Sequence, residues 1–155
     1  MKLKIKVKTF AGQVLPEIID KGDWIDLRSN EEYVADKEEY KLLKLGVAME
    51  LPDGFEAIVA PRSSTFKTWG ILLANSMGII DNSYSGNNDE WRFPAWFTRR
   101  TIIHKGDRIC QFRIQLSQKA TVWQKIKWFI SNGIKIERVE ELNTINRGGI
   151  GSTGK

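Results

Sequence analysis

Cysteine and histidine are almost missing from this chain: its 155 residues carry one of each, Cys110 and His104. A single cysteine forms no internal disulfide, which fits a reducing compartment and predicts a cytoplasmic protein. One Cys and one His cannot build a Cys/His zinc site. Any catalysis then falls to carboxylates, Arg, Ser or Tyr, with a metal held mainly through oxygen. No apolar run approaches the ~20 residues of a membrane-crossing helix, so no membrane partner is expected. The opening stretch, Met1 to Phe10, alternates lysine with apolar residues and does not read as a signal peptide. What is there is an ordinary globular balance, 41% hydrophobic and 28% charged residues, which excludes a disordered chain. The 24 Lys and Arg against 19 Asp and Glu leave a net charge of +5. The basic residues are spread among acids and no recognition motif appears, so nucleic acid is not the expected partner.

Short strand-like runs dominate. Lys2, Lys4, Lys6 and Lys8 alternate with Leu3, Ile5 and Val7, the period of a half-buried strand. Further runs lie at Gly46 to Leu51, Phe55 to Ala60, Gly70 to Ala74, Thr101 to His104 and Arg108 to Leu116, with turn residues between them. The pattern predicts an all-β barrel or jelly roll. One short helix is expected from Ser63-Ser64-Thr65 to about Trp69, capped by those hydroxyls. Val122 to Ile130 fits a helical face or an alternating strand; Asn132-Gly133 before Ile134-Lys135-Ile136 favours a hairpin. The last nine residues, 147–155, hold four glycines and no core pattern, so they read as a mobile arm following a single domain, 1–146.

Four segments carry chemistry. Pro61-Arg62-Ser63-Ser64 places a guanidinium and two hydroxyls at a helix start, a setting that suits phosphate. Asn75 to Gly86 is an apolar strand ending at Asp81, with Tyr84 three residues on. Its near match to a calcium loop fails, because the twelfth position is Arg92 where a glutamate is needed. In Gly106-Asp107-Arg108-Ile109-Cys110-Gln111, Arg108 and Gln111 fall on opposite strand faces unless a bulge intervenes. Arg147-Gly148-Gly149-Ile150-Gly151-Ser152-Thr153-Gly154 lets a backbone wrap an anion. Taken singly, each also reads as ordinary structure: a helix cap, a turn, a solvated strand, a loose tail.

In this order, the four segments resemble four of the five motifs of the dUTP pyrophosphatase (dUTPase) family, trimeric all-β enzymes that hydrolyse dUTP to dUMP and pyrophosphate. Gly22 to Leu27 and Asn88 to Pro94 resemble the enzymes of Gram-positive bacteria and their phages. The first motif, usually Ala-Gly-x-Asp-Leu, keeps only Asp26-Leu27, so Asp26 is a candidate supporting carboxylate. Ile150 stands where the fifth motif usually has an aromatic residue over the uracil. Trp91, Arg92 and Phe93 are the candidates to cover the base instead, since an aromatic ring or a guanidinium can lie on one. The connection between the fourth and fifth motifs is about a dozen residues longer than in similar members, an insertion near 123–133 of the kind loops absorb.

The resemblance implies a distorted β-barrel or jelly roll and a set of roles. Asp81 activates the water that attacks the α-phosphorus and bonds the sugar 3′-hydroxyl. Tyr84 packs against the deoxyribose and rejects UTP. A hairpin from Asn75 to Asp81, with Gly78 and Ile80, reads uracil. Gln111, Ser63 and Ser64 hold the α-phosphate or the water. Arg108, Arg147, Ser152 and Thr153 bind the outer phosphates, with Gly149 and Gly151 in the wrapping arm, and Arg62 supports the carboxylates. Mg²⁺ is held by the triphosphate and waters, with no direct protein ligand. The expected assembly is a homotrimer whose C-terminal arm reaches a neighbouring subunit's site. The activity would limit uracil in DNA and supply dUMP for dTMP synthesis. A regulatory protein partner, as for some phage dUTPases, is the alternative; dCTP deaminase, whose site is built on a Glu, and a nucleic-acid module fit less well.

Overall fold

A computed structural model of the chain describes residues 1–149 and Gly154. Ile150, Gly151, Ser152, Thr153 and Lys155 lie outside the described residues, and with them part of the expected arm.

In chain order the elements are β1 (Leu3–Thr9), β2 (Ile25–Arg28), β3 (Tyr33–Ala35), β4 (Tyr40–Lys44), β5 (Val47–Glu50), β6 (Phe55–Pro61), α1 (Thr65–Trp69), β7 (Ile71–Leu73), β8 (Gly78–Ile80), β9 (Arg92–Phe97), β10 (Thr101–Ile103), β11 (Arg108–Leu116), α2 (Val122–Ile130) and β12 (Ile134–Arg138). They form four sheets, ordered β12-β1-β5, β10-β3, β2-β11-β6-β8 and β4-β9-β7. Among the described residues no sheet closes into a barrel, and the architecture is all-β and jelly-roll-like. In β1 the alternation works as the sequence predicts: Leu3, Ile5 and Val7 are buried while Lys4 faces out. The core gathers Phe55, Trp91, Phe93, Phe97 and Phe112, with Trp91 edge-on to Phe112 at 5.2 Å between centroids.

The sheet β2-β11-β6-β8 carries most of the motif residues. β11 lies between β2 and β6, antiparallel to both, and sets Gln111 opposite Asp26 on one side and Ala60 on the other. The register against β2 slips between Arg108 and Cys110, a bulge at Ile109. That extra residue puts Arg108 and Gln111 on the same face, which simple alternation would forbid.

Three expectations are corrected. The Val122–Ile130 segment is a helix, not a hairpin arm. Thr121 Oγ1 accepts from the Gln124 N–H at 3.3 Å, and the Gln124 side chain accepts from the Thr121 N–H at 2.8 Å, a capping box that satisfies free N–H groups at the first turn. The helix is fastened by Trp128, edge-on to Phe55 at 5.3 Å. Asn132-Gly133 then leads into β12, which pairs parallel with β1. The short helix after Arg62 forms, but Ser64 at its cap makes no side-chain cap bond. Buried Thr65 ties it down instead, accepting from the Arg62 N–H at 2.8 Å and donating to the Ile109 carbonyl at 2.9 Å. Asn75 to Asp81 is not a paired hairpin either: β7 pairs β9, whereas β8 pairs β6.

Candidate active site

The motif residues fall into two groups. The first lines a cleft of about 500 Å³, within the usual size of a small-ligand site. Its walls include Val59, Leu73, Ile79, Ile80 and Pro94; Asn75, Gly78, Asp81, Tyr84, Glu90, Arg92, Arg147 and Gly149 stand around them. The loop before β8 turns through Ser76, in the left-handed region at φ 64°, which brings the Met77 N–H onto the Asn75 carbonyl at 2.6 Å. Gly78 sits so close to β6 that a Cβ there would meet Val59 at 3.1 Å. Glycine therefore lets the cleft wall form against β6.

Asp81 follows β8 and opens a turn. Its Oδ1 accepts from the Ser83 N–H at 3.2 Å and its carbonyl from the Tyr84 N–H at 2.9 Å. Asn82 donates to the Pro52 carbonyl at 3.0 Å and pins the turn to the end of β5. Tyr84 is half-buried, donates to the Glu90 carbonyl at 2.8 Å, and has its hydroxyl pKa pushed up by burial. Gly149 lies over this ring: a Cβ there would stand 3.4 Å from the Tyr84 hydroxyl.

The second group is cationic. Asp26 on β2 takes Arg62 on Oδ1 at 2.8 Å and Arg108 on Oδ2 at 3.2 Å. The Arg62 guanidinium also donates to the Arg108 carbonyl at 3.3 Å, and Gln111 Nε2 to the Pro61 carbonyl at 3.1 Å. One carboxylate thus orients two guanidiniums and leaves an excess positive charge, a setting for phosphate oxygens. Ser63 and Ser64 follow Arg62 directly. Neither they nor Arg62, Arg108 and Gln111 line the cleft that holds Asp81.

Of the expected base covers, Trp91 and Phe93 are fully buried in the core and cannot face a ligand. Both are inward positions of a strand region that alternates around exposed Arg92. Arg92 alone of the three lines the cleft.

Asp89, Glu90 and Asn87 are site neighbours that the motif reading does not single out, although an acid next to the Gly86 turn is the available signal. They join a seam between 85–89 and 142–148. Leu142 N–H donates to Asn87 Oδ1 at 2.7 Å, the Thr144 hydroxyl to Ser85, and Asn88 N–H to Asn146 Oδ1 at 2.7 Å. Asp89, 1% exposed, accepts from the N–H groups of Gly86, Arg147 and Gly148 at 2.9, 2.9 and 3.0 Å. The Arg147 guanidinium ends 3.6 Å from Asp81 Oδ2. The start of the arm therefore lies on the cleft of its own chain.

An all-β fold with a cleft of mixed polar and apolar lining, a carboxylate at its rim and arginines nearby makes a site for a polyanionic small molecule. A family model described as dUTPase matches residues 24–154, and the chain belongs to the dUTPase family. It is 51% identical to the SPbeta prophage-derived deoxyuridine 5'-triphosphate nucleotidohydrolase of Bacillus subtilis, over 88% of this chain and 87% of that protein. It is 36% identical to the deoxyuridine 5'-triphosphate nucleotidohydrolase of Clostridium acetobutylicum, over 99% and 97%. Among solved structures, a mutant dUTPase from phage phi11 of Staphylococcus aureus, described with a structural Mg(II) ion, superposes with a TM-score of 0.66 at 17% identity, over 76% of this chain and 94% of that one.

Proposed function

We propose that the chain hydrolyses dUTP to dUMP and pyrophosphate. The carrying observation is Asp81 on a cleft of mixed polar and apolar lining with Arg147 beside it. Uracil lies against the β8 backbone and the Asn75 loop, and the deoxyribose lies on Tyr84, where a 2′-hydroxyl would crowd the ring. Asp81 accepts a proton from the attacking water as its oxygen bonds the α-phosphorus. The bond to the bridging oxygen breaks, and pyrophosphate leaves with the electron pair. Arg147 neutralises charge on the outer phosphates. Arg92 borders the base region and takes the place of a ring as cover.

The arginine cluster on Asp26 stands apart from this cleft within one chain. That separation supports a homotrimer in which Arg62, Ser63, Ser64, Arg108 and Gln111 of one copy face the α-phosphate held by another. If the arm is exchanged between subunits, the seam from Ser85 to Asp89 keeps its partners and only their chain of origin changes.

Mg²⁺ fits this donor set. The ligands it would use are phosphate oxygens and waters, with Asp81 and Glu90 able to accept from those waters. When bound it neutralises phosphate charge. Incubation with dUTP, dTTP, dCTP and UTP in Mg²⁺, with pyrophosphate as readout, tests the function. Turnover confined to dUTP is expected; equal turnover of UTP overturns the reading of Tyr84, and none of dUTP overturns the enzyme.

A further inference from the structure

We infer that Asp89 is a positioning residue that acts through Arg147: a buried carboxylate that clasps the start of the arm and aims its guanidinium at the substrate. The inference rests on the role given above to Arg147.

Asp89 is 1% exposed, a costly place for a carboxylate unless its lone pairs are filled. Three backbone N–H groups fill them. The one from Gly86 belongs to its own turn. The other two come from Arg147 and Gly148, more than fifty residues along the chain. A carboxylate that only stabilised its loop would need no donors from the arm. Here it accepts from two consecutive N–H groups of the arm, one on each oxygen, as an anion does in a backbone nest. Gripping both fixes the direction in which the Arg147 side chain leaves the backbone, and that direction ends 3.6 Å from Asp81. Gly86 permits the approach, since a Cβ there would stand 2.5 Å from Asn146 Cα. Asn146 adds one more tie, accepting from the Asn88 N–H.

Asp89→Asn keeps the shape but replaces one accepting oxygen by an NH₂ group, which opposes an N–H donor of the arm. In the full chain, kcat/KM for dUTP should fall roughly ten- to a hundredfold, the scale of a displaced positioning group. Trypsin should cut after Arg147 faster than in the parent, read by mass as release of residues 148–155. The decisive measurement is a cycle of Asp89→Asn, Arg147→Ala and the double variant. Acting through Arg147, Asp89→Asn should cost nothing further once Arg147 is gone. Additive losses would make Asp89 a support of the cleft and overturn the inference. So would an unchanged Asp89→Asn beside a crippled Arg147→Ala. An Arg147→Ala variant of full activity overturns the role of the arm itself, and this inference with it. Asn146→Ala, an exposed change that cannot cost the fold, should show the same direction of effect and the same dependence on Arg147; independence from Arg147 counts against the clasp.

Discussion

Asp81 is exposed, held by its own turn and by the Arg147 guanidinium at 3.6 Å, so its charge can be removed at little structural cost. Asp81→Asn should lower kcat by about a hundredfold or more, the range for losing a general base, with the melting temperature nearly unchanged. Tyr84 is held from both ends, by the core beneath its ring and by the Glu90 carbonyl on its hydroxyl. Tyr84→Ala should therefore erode the preference for dUTP over UTP, measured as the ratio of kcat/KM values, while Tyr84→Phe keeps the ring and the preference. The residues proposed for the site are readable in the sequence because each proposed role needs a particular side chain: Asp for the base, Arg for phosphate, Tyr for a sugar face. Trp91 and Phe93 mislead for the converse reason. An aromatic residue near a motif serves a core or a ligand equally well, and only the face of the strand decides. Asp89 carries no such mark, because its partners are backbone groups far along the chain.

Helix α2 shows where element-scale reading fails. Its apolar residues fit two periods, and the Asn-Gly signal outweighs the Thr121-to-Gln124 spacing that marks a capping box. The deciding feature is nonetheless present in the chain. Strands β3, β4 and β9 escape a reading by pattern because their residues alternate weakly and their partners lie far away, whereas β1, β6 and β11 announce themselves by regular alternation. Helix α2 touches the domain through Trp128, while Phe129 is 89% exposed. Trp128→Ala should cost on the order of 2 kcal/mol in a denaturant titration, less than a fully buried ring; Phe129→Ser should change stability by under ~0.5 kcal/mol. Replacing 123–133 by a short turn should leave dUTP turnover within a few-fold, since no residue of α2 lines the cleft. β12 is pinned to β1 by Lys4 and Glu137 at 3.0 Å. The hydrogen bond from Lys4, helped by its charge, lowers the Glu137 pKa below its ordinary 4.5. The stability this pair supplies is complete above that ordinary value and fades as pH falls through the lower folded one. Acid unfolding below about pH 4.5 should be shallower in Glu137→Gln, monitored by circular dichroism.

At the scale of the whole molecule, the separation of the two groups of motif residues underlies the proposed assembly. Sedimentation should show a trimer, and Arg108→Ala should depress dUTP turnover while leaving that trimer intact. The pairing of β12 with β1 has a further consequence. β1 and the strand that completes its sheet lie more than a hundred residues apart along the chain. Until β12 is made and pairs, β1 has an unmatched edge, the condition that invites another chain to add itself. Alternate lysines along β1 are the usual guard on such an edge. Lys4 repels a stray strand until Glu137 emerges and accepts it, so the same residue that shields the unfinished protein seals the finished one.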